Sequence, residues 1–245
     1  MKKIVLLALI MQMTATSNAL AQKQITTERI EVTNSLDAQP DRKAMAIMER
    51  YKPAVDSVMA PILGKSLVGM TAGRPESLLS NWAADVMVEF SDFDGGKRAD
   101  MGLVNIGGLR NNMPEGTVRR GNILLISPFD NKLCVLDLKG SDLMSLFSDI
   151  AAVHGEGVSH EVRLVITKDG KLVDAKLNGK PIDPEHTYRI ATLDYLAEGN
   201  DHLNSLTKAT RLNVSNLFTR DCMMKCIQRH KTITSKLEGR ITIQN

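Results

Sequence analysis

Three short segments of this sequence carry residue types that could hold a ligand. The first is Asn105-Ile106-Gly107-Gly108-Leu109-Arg110. Its glycines would let the backbone approach a bound group closely, and its arginine could fork onto a phosphate or carboxylate or reach sugar hydroxyls. Taken bare, the pattern also fits a tight turn with a surface arginine. The second is Ser127-Pro128-Phe129-Asp130-Asn131, where proline fixes a turn and Phe129 is either a core ring or a stacking platform for a planar ring. The third is Asp194-Tyr195-Leu196-Ala197-Glu198-Gly199-Asn200-Asp201, an aromatic and carboxylates around a glycine, which would otherwise be a helix cap and turn. Motifs for other chemistries do not occur: the sequence has no His-Glu-x-x-His, no Gly-x-Ser-x-Gly and no phosphate-binding Gly-x-x-x-x-Gly-Lys-Ser/Thr. Asp92-Phe93-Asp94-Gly95-Gly96 starts like a calcium loop but lacks the remaining spacing and the final Glu, so it reads as a plain loop.

Strands and helices must position these loops. Met101 to Ile106 reads as a strand running into the Gly107-Gly108 turn, Leu133 to Leu138 as a strand after the Phe129 loop, and Tyr188 to Thr192 as a strand before the Tyr195 loop. Glu76 to Phe90 is the clearest helix, with Leu78, Leu79, Trp82, Ala83, Val86 and Met87 on one face. Ala44, Met48, Tyr51, Val55 and Val58 follow a helical period that Pro53 is expected to interrupt or bend. Gly140-Ser141-Asp142 is expected to cap a helix through Ile150, and Lys168-Asp169-Gly170 to turn a hairpin between Val162–Ile166 and Leu172–Leu177. Further expectations are a flexible lead-in or one edge strand (Ile30-Glu31-Val32) within residues 22–40, a short strand over Gly64 to Gly69, a turn at Asn178-Gly179 and a helix over Ser215 to Arg229. Together they predict one mixed α/β (α+β) domain.

The chain of 245 residues, 43% hydrophobic and 24% charged, has the composition of a globular protein. Its net charge of +3 comes without a basic run, which argues against a nucleic-acid partner. Lys2 and Lys3, the apolar Ile4 to Met11 and the closing Ala19-Leu20-Ala21 have the order of a secretion signal. That apolar run is too short for a bilayer, which takes about 20 residues. The expected organisation is a cleaved leader at 1–21, an N-terminal extension at 22–60 and one domain at 61–245, exported and periplasmic, with no transmembrane segment. Cys134 lies in an apolar run and reads as a buried thiol. Cys222 and Cys226 are four residues apart on a helix, poor geometry for a disulfide, and no further ligand has the spacing of a two-cysteine metal site. No metal or other cofactor is therefore expected in this chain.

The three loops in this order, with Arg74-Pro75-Glu76-Ser77-Leu78-Leu79-Ser80-Asn81 before the first core helix and Leu138-Lys139-Gly140 after the second strand, resemble the C-terminal domain of the 5′-nucleotidase family. The resemblance runs from about residue 64 to about residue 206. It implies a layered α-β-β-α domain that binds a nucleoside or nucleotide. Phe129 and Tyr195 would clamp the base, Asn131 would hydrogen-bond it, and Asp201 would accept from the ribose hydroxyls. Asn105 and Arg110 would hold sugar or phosphate beside Gly107 and Gly108, and Arg74, offset by one position from the family's arginine, is a further phosphate ligand. The sequence departs from the family in having Tyr195 where phenylalanine is usual, and Asn200-Asp201-His202 in place of Gly-Asp-Gly. The family's metallophosphoesterase motifs, Asp-x-His and Gly-Asn-His-Asp, do not occur here. The expectation is thus the recognition half of an exported hydrolase of nucleotide catabolism, with divalent metals on a separate metallophosphoesterase subunit. A stand-alone nucleoside- or nucleotide-binding protein and a non-catalytic scaffold stay open as alternatives.

Overall fold

A computed structural model of the chain describes residues 26–38 and 40–244, so the leader expected at 1–21 lies outside the described residues. In chain order the elements are α1 (Arg42–Met59), β1 (Ile62–Ser66), α2 (Leu78–Glu89), β2 (Met101–Val104), β3 (Gly116–Arg119), α3 (Arg120–Ile126), β4 (Lys132–Lys139), α4 (Gly140–Ala152), β5 (Gly157–Val158), β6 (Val162–Thr167), β7 (Leu172–Leu177), β8 (Lys180–Pro181), β9 (Thr187–Leu193), α5 (Asp194–Ala197), β10 (Arg211–Phe218), α6 (Thr219–His230), β11 (Thr232–Ile233) and β12 (Ile241–Gln244). Short 3-10 turns cover Asn34–Ala38, Ile106–Gly108 and Asn204–Lys208. The chain divides into a unit up to Arg50 and a larger unit from Tyr51 to Asn245. In the first unit, the described residues 26–38 and 40–50 are exposed.

The larger unit has the expected mixed α/β architecture, with strands in three sheets ordered β11-β1-β3, β10-β4-β9-β2-β5 and β12-β6-β7-β8. In the five-stranded sheet β2 runs parallel to β9, and β9 antiparallel to β4 with Leu193 opposite Leu133. Strand β4 is flanked on both sides, and its Leu133-Cys134-Val135-Leu136 run is buried on both faces, which is why it reads as continuously apolar. Strand β6 instead alternates buried Val162, Leu164 and Ile166 with half-buried Arg163, Val165 and Thr167, the period of a strand with one face in the core. Helix α2 packs on β2, β5 and β9, and its first turn is capped by Ser77, whose side chain accepts from the Ser80 N–H. Helix α4 packs on strands of both larger sheets.

This topology gathers the three candidate loops. Strands β2 and β9 point the same way, so their C-terminal ends, leading to Asn105 and to Asp194, share one sheet edge. Antiparallel β4 begins at that edge, directly after the Phe129 loop, and β10 ends there with Phe218 opposite Lys132. Four chain segments remote in sequence therefore converge at one end of one sheet.

Several local expectations are corrected. Of the two readings of the lead-in, the edge strand at Ile30-Glu31-Val32 does not form: both apolar side chains are exposed, and no described strand pairs with the segment. Pro53 sits inside α1 without ending it. The carbonyl it leaves unpaired belongs to exposed Glu49, where water can take the missing bond. The helix expected from Ser215 starts only at Thr219, because Arg211–Phe218 pairs with the open edge of β4, supplying partners for both backbones. The strand expected over Gly64 to Gly69 is Ile62–Ser66; a Cβ on Gly64 would lie 2.4 Å from the Lys231 carbonyl oxygen, so glycine permits the close approach of the α6 terminus. No side chain caps α4. Its first N–H groups, from Gly140 and Ser141, donate to the carbonyls of His186 and Pro184. The hairpin of β6 and β7 forms as expected, and Asn178 and Gly179 form a turn with positive φ at both.

Candidate functional site

Eight of the nine residues singled out in the sequence line one cavity of about 310 Å³: Asn105, Gly107, Gly108, Arg110, Phe129, Asn131, Tyr195 and Asp201. The ninth, Arg74, is not among the lining residues. Its guanidinium pairs with Glu156, whose other oxygen accepts from the Ile106 N–H, so Arg74 braces the Asn105 loop through Glu156.

Asp201 is the centre of the polar side. Its Oδ2 accepts from Asn105 Nδ2 at 2.5 Å and its Oδ1 from the Tyr195 hydroxyl at 2.9 Å. That bond to an anionic acceptor pushes the Tyr195 phenol above its usual range, burial adding to the effect, so the hydroxyl keeps its proton at neutral pH. Asn105 is buried, and its Oδ1 has no partner among the described residues. A Cβ on Gly108 would come within 2.7 Å of that oxygen. Glycine at 108 thus makes room for a fixed asparagine side chain. Gly107 serves differently: the space where its Cβ would project opens toward Asp201 Oδ2, 4.0 Å away.

The left-handed backbone of this loop answers the departure noted in the sequence. Asp201 and His202 have φ of 55° and 66°, and Gly199 has 85°. Aspartate and histidine are among the non-glycine residues that enter this region most readily. Asn200 Nδ2 donates to the Tyr195 carbonyl, and buried Leu203 and Leu206 anchor the chain beyond. Asp201 thus reaches the cavity without glycines at 200 and 202.

The aromatic side is built from two rings. Phe129 and Tyr195 are 45% and 39% exposed, so neither is a core ring and both offer surface to the cavity. The Arg110 guanidinium carbon lies 5.9 Å from the Phe129 ring centre, and its Nη1 donates to the Gly107 carbonyl at 3.0 Å. Sequence reasoning missed the residues that hold these rings. Arg220, at the start of α6, donates to the Phe129 carbonyl at 2.8 Å and pairs with Asp130. Asp194 accepts from the Lys132 and Tyr195 N–H groups, tying the second and third loops together. Glu156 is buried; desolvation raises its pKa against the opposing pull of the Ile106 N–H and Arg74. The alternating pattern of residues 211–218 could have placed Arg220 beyond a strand. Nothing local marks Glu156, which meets its partners across some 50 and 82 residues.

Asp201 is the one carboxylate among the lining residues, and its oxygens already have donors. Among the described residues the cluster of three metal-ligating groups lies elsewhere, at Glu89, Cys226 and His230. The cavity residues do not fit the two-metal centre that the resemblance implies for a whole nucleotidase. They suit a ligand with a planar ring, vicinal hydroxyls and an anionic group.

The family model for the 5′-nucleotidase C-terminal domain matches residues 59–208. Protein UshA of Escherichia coli is 34% identical over 106 residues, covering 42% of this chain and 19% of that protein. A probable 5′-nucleotidase of Treponema pallidum is 24% identical over 236 residues, covering 83% of this chain and 40% of that one. The crystal structure of a 5′-nucleotidase precursor from Thermus thermophilus superposes with a TM-score of 0.74 at 24% identity, over 86% of this chain and 45% of that one. The chain thus spans less than half the length of these relatives.

Proposed function

This chain belongs to the 5′-nucleotidase C-terminal domain family, a family of nucleotide metabolism, and from that premise we propose that its cavity binds a nucleoside or nucleotide. The observation that carries the reading is the union, in one cavity, of two half-exposed aromatic rings and a carboxylate held by Asn105 and Tyr195. The base stacks between Phe129 and Tyr195. Asn131 bonds its edge, Asp201 takes the ribose hydroxyls, and Arg110 meets the phosphate at the glycine turn. Arg74 acts through Glu156 and the Ile106 N–H. A volume of about 310 Å³ is at the small end of ligand sites, in keeping with one nucleoside.

In this reading the metals that phosphate-ester hydrolysis requires sit on a separate metallophosphoesterase subunit; the recognition cavity itself is lined by one carboxylate, Asp201. The signal-like order of residues 1–21 supports export, which in this reading delivers the chain to the periplasm. No helix of the described residues is long and apolar enough to cross a membrane.

The test is calorimetric titration of AMP and of adenosine into the chain with a chelator present, beside Phe129→Ala. Stacking on one aromatic contributes about 1–3 kcal/mol, so we expect binding by the parent and at least about tenfold weaker binding by the variant. Equal affinity in both would remove the aromatic clamp. The two-subunit reading fails if a metallophosphoesterase chain hydrolyses AMP no faster with this chain than without it.

A further inference from the structure

A second cluster lies on residues that take no part in the nucleoside cavity. Cys226 and His230 are one turn apart on α6, and Glu89 ends α2, the helix packed against it. We propose that Glu89, Cys226 and His230 bind a divalent ion of the zinc class, with a fourth position open to a small ligand.

The donor types select the ion. A thiolate, an imidazole and a carboxylate make a borderline-soft set suited to zinc, whereas magnesium and calcium take oxygen donors. The geometry is close to a finished site. One ligating atom from each of the three residues lies within 4.8 Å of the others. Two ligands on one tetrahedral zinc stand under about 4 Å apart, given bonds of about 2.0–2.3 Å, so a contraction of about 1 Å closes the set. His230 Nε2 is already 3.0 and 3.1 Å from the Glu89 oxygens. Arg229 donates to Glu89 Oε1 at 2.7 Å and lies 4.8 Å over the Phe90 ring; Oε2 faces His230 Nε2 at 3.0 Å, and the ion replaces that contact. The open side is a cavity of about 310 Å³ that Trp82, Asp85, Thr232 and Thr234 also line. Asp85 is engaged by Arg240, so the fourth ligand is solvent or an incoming small molecule.

The ligands differ in readiness. His230 is half-exposed and meets the ion first. Cys226 is buried, and desolvation together with the Glu89 carboxylate keeps its thiol protonated in the free protein. On binding, the sulfur forms a bond to the metal and its proton passes to solvent, with no change of oxidation state. Arg229, already on the carboxylate, then orients a ligand in the way outer hydrogen bonds commonly do.

The experiment is titration of the chelator-treated chain with Co²⁺, read by absorption, beside Cys226→Ser and His230→Gln. We expect one equivalent to bind with a sulfur-to-cobalt charge-transfer band, and Zn²⁺ to displace it. Cys226→Ser should lose the band. Loss of an outer hydrogen bond alone weakens metal sites about 10–100-fold, so His230→Gln should weaken binding by at least tenfold. His230 is half-exposed, so that variant keeps the fold even if Cys226→Ser does not. No band in the parent, a band surviving Cys226→Ser, or unchanged affinity in His230→Gln would each overturn the site. Neither residue lines the nucleoside cavity, so failure here leaves the recognition reading standing.

Discussion

Asp201 shows how a single side chain can be both structural and poised for a ligand. Asn105 and Tyr195 each occupy one of its oxygens, which fixes the carboxylate at the cavity wall. Each carboxylate oxygen has a second lone pair, so ribose hydroxyls can donate without breaking either bond. The Tyr195 ring and hydroxyl therefore have separable tasks. We expect Tyr195→Phe to keep nucleoside affinity within about tenfold, since the hydroxyl bonds Asp201 within the protein, the Asn105 bond still holds that carboxylate, and the ring remains. Tyr195→Ala, which removes the stacking surface as well, should bind markedly less tightly than Tyr195→Phe. Calorimetry on the pair decides it: equal losses would mean that the hydroxyl rather than the ring carries the effect.

At the scale of elements, helix α6 and the loop after α5 do the positioning. The first turn of α6 holds the Phe129 loop through Arg220, and its last turn carries Cys226 and His230. The loop after α5 keeps its path with left-handed Asp201 and His202. For an L-residue that conformation costs about 1–2 kcal/mol, while glycine there adds back chain entropy of about 0.4–1 kcal/mol in the unfolded state. The balance predicts that His202→Gly stabilises the protein by up to about 1 kcal/mol in urea denaturation, with nucleoside binding intact. A destabilised His202→Gly would mean that the imidazole itself makes a contact the loop needs.

At the scale of the molecule, the long-range ties are charge-assisted. Asp94, in the loop after α2, takes both oxygens to Arg189 of β9 at 2.7 Å and accepts from Asn213 of β10. The Arg189 guanidinium, then the Gly96 N–H, bring its pKa down from 3.8 to about 2 against a small opposing effect of burial. A carboxylate depressed in the folded state binds more protons when unfolded across this range. Its stabilisation is present above pH 4 and is lost as the pH falls through 2. Denaturant unfolding at pH 5, 3 and 2 should give falling stability with acid, and Asp94→Asn should flatten that part of the curve. An unchanged slope in the variant would assign the acid sensitivity to other carboxylates. In the alkaline direction Cys134 and Cys222, both pushed up to about 12 by burial, stay neutral thiols through the physiological range.

The sequence by itself determined the local pieces whose signal is local. The α2 stripe, the apolar run of β4, the β6–β7 hairpin and the three candidate loops are legible because periodicity and turn residues act over a few positions. The ordered loops also carried the family. Other features depended on partners far away in the chain. Residues 215–218 read as the start of a helix until the open edge of β4 claimed them. Arg74, read as a ligand, pairs with buried Glu156 and is not among the residues lining the cavity. Cys226 had no metal partner of the right spacing until α2 brought Glu89 beside the helix that also carries His230. Only the tertiary structure decided that three loops spread over residues 105–201 share one sheet edge, because strand order and direction are fixed by backbone pairing and core burial between segments no local pattern connects.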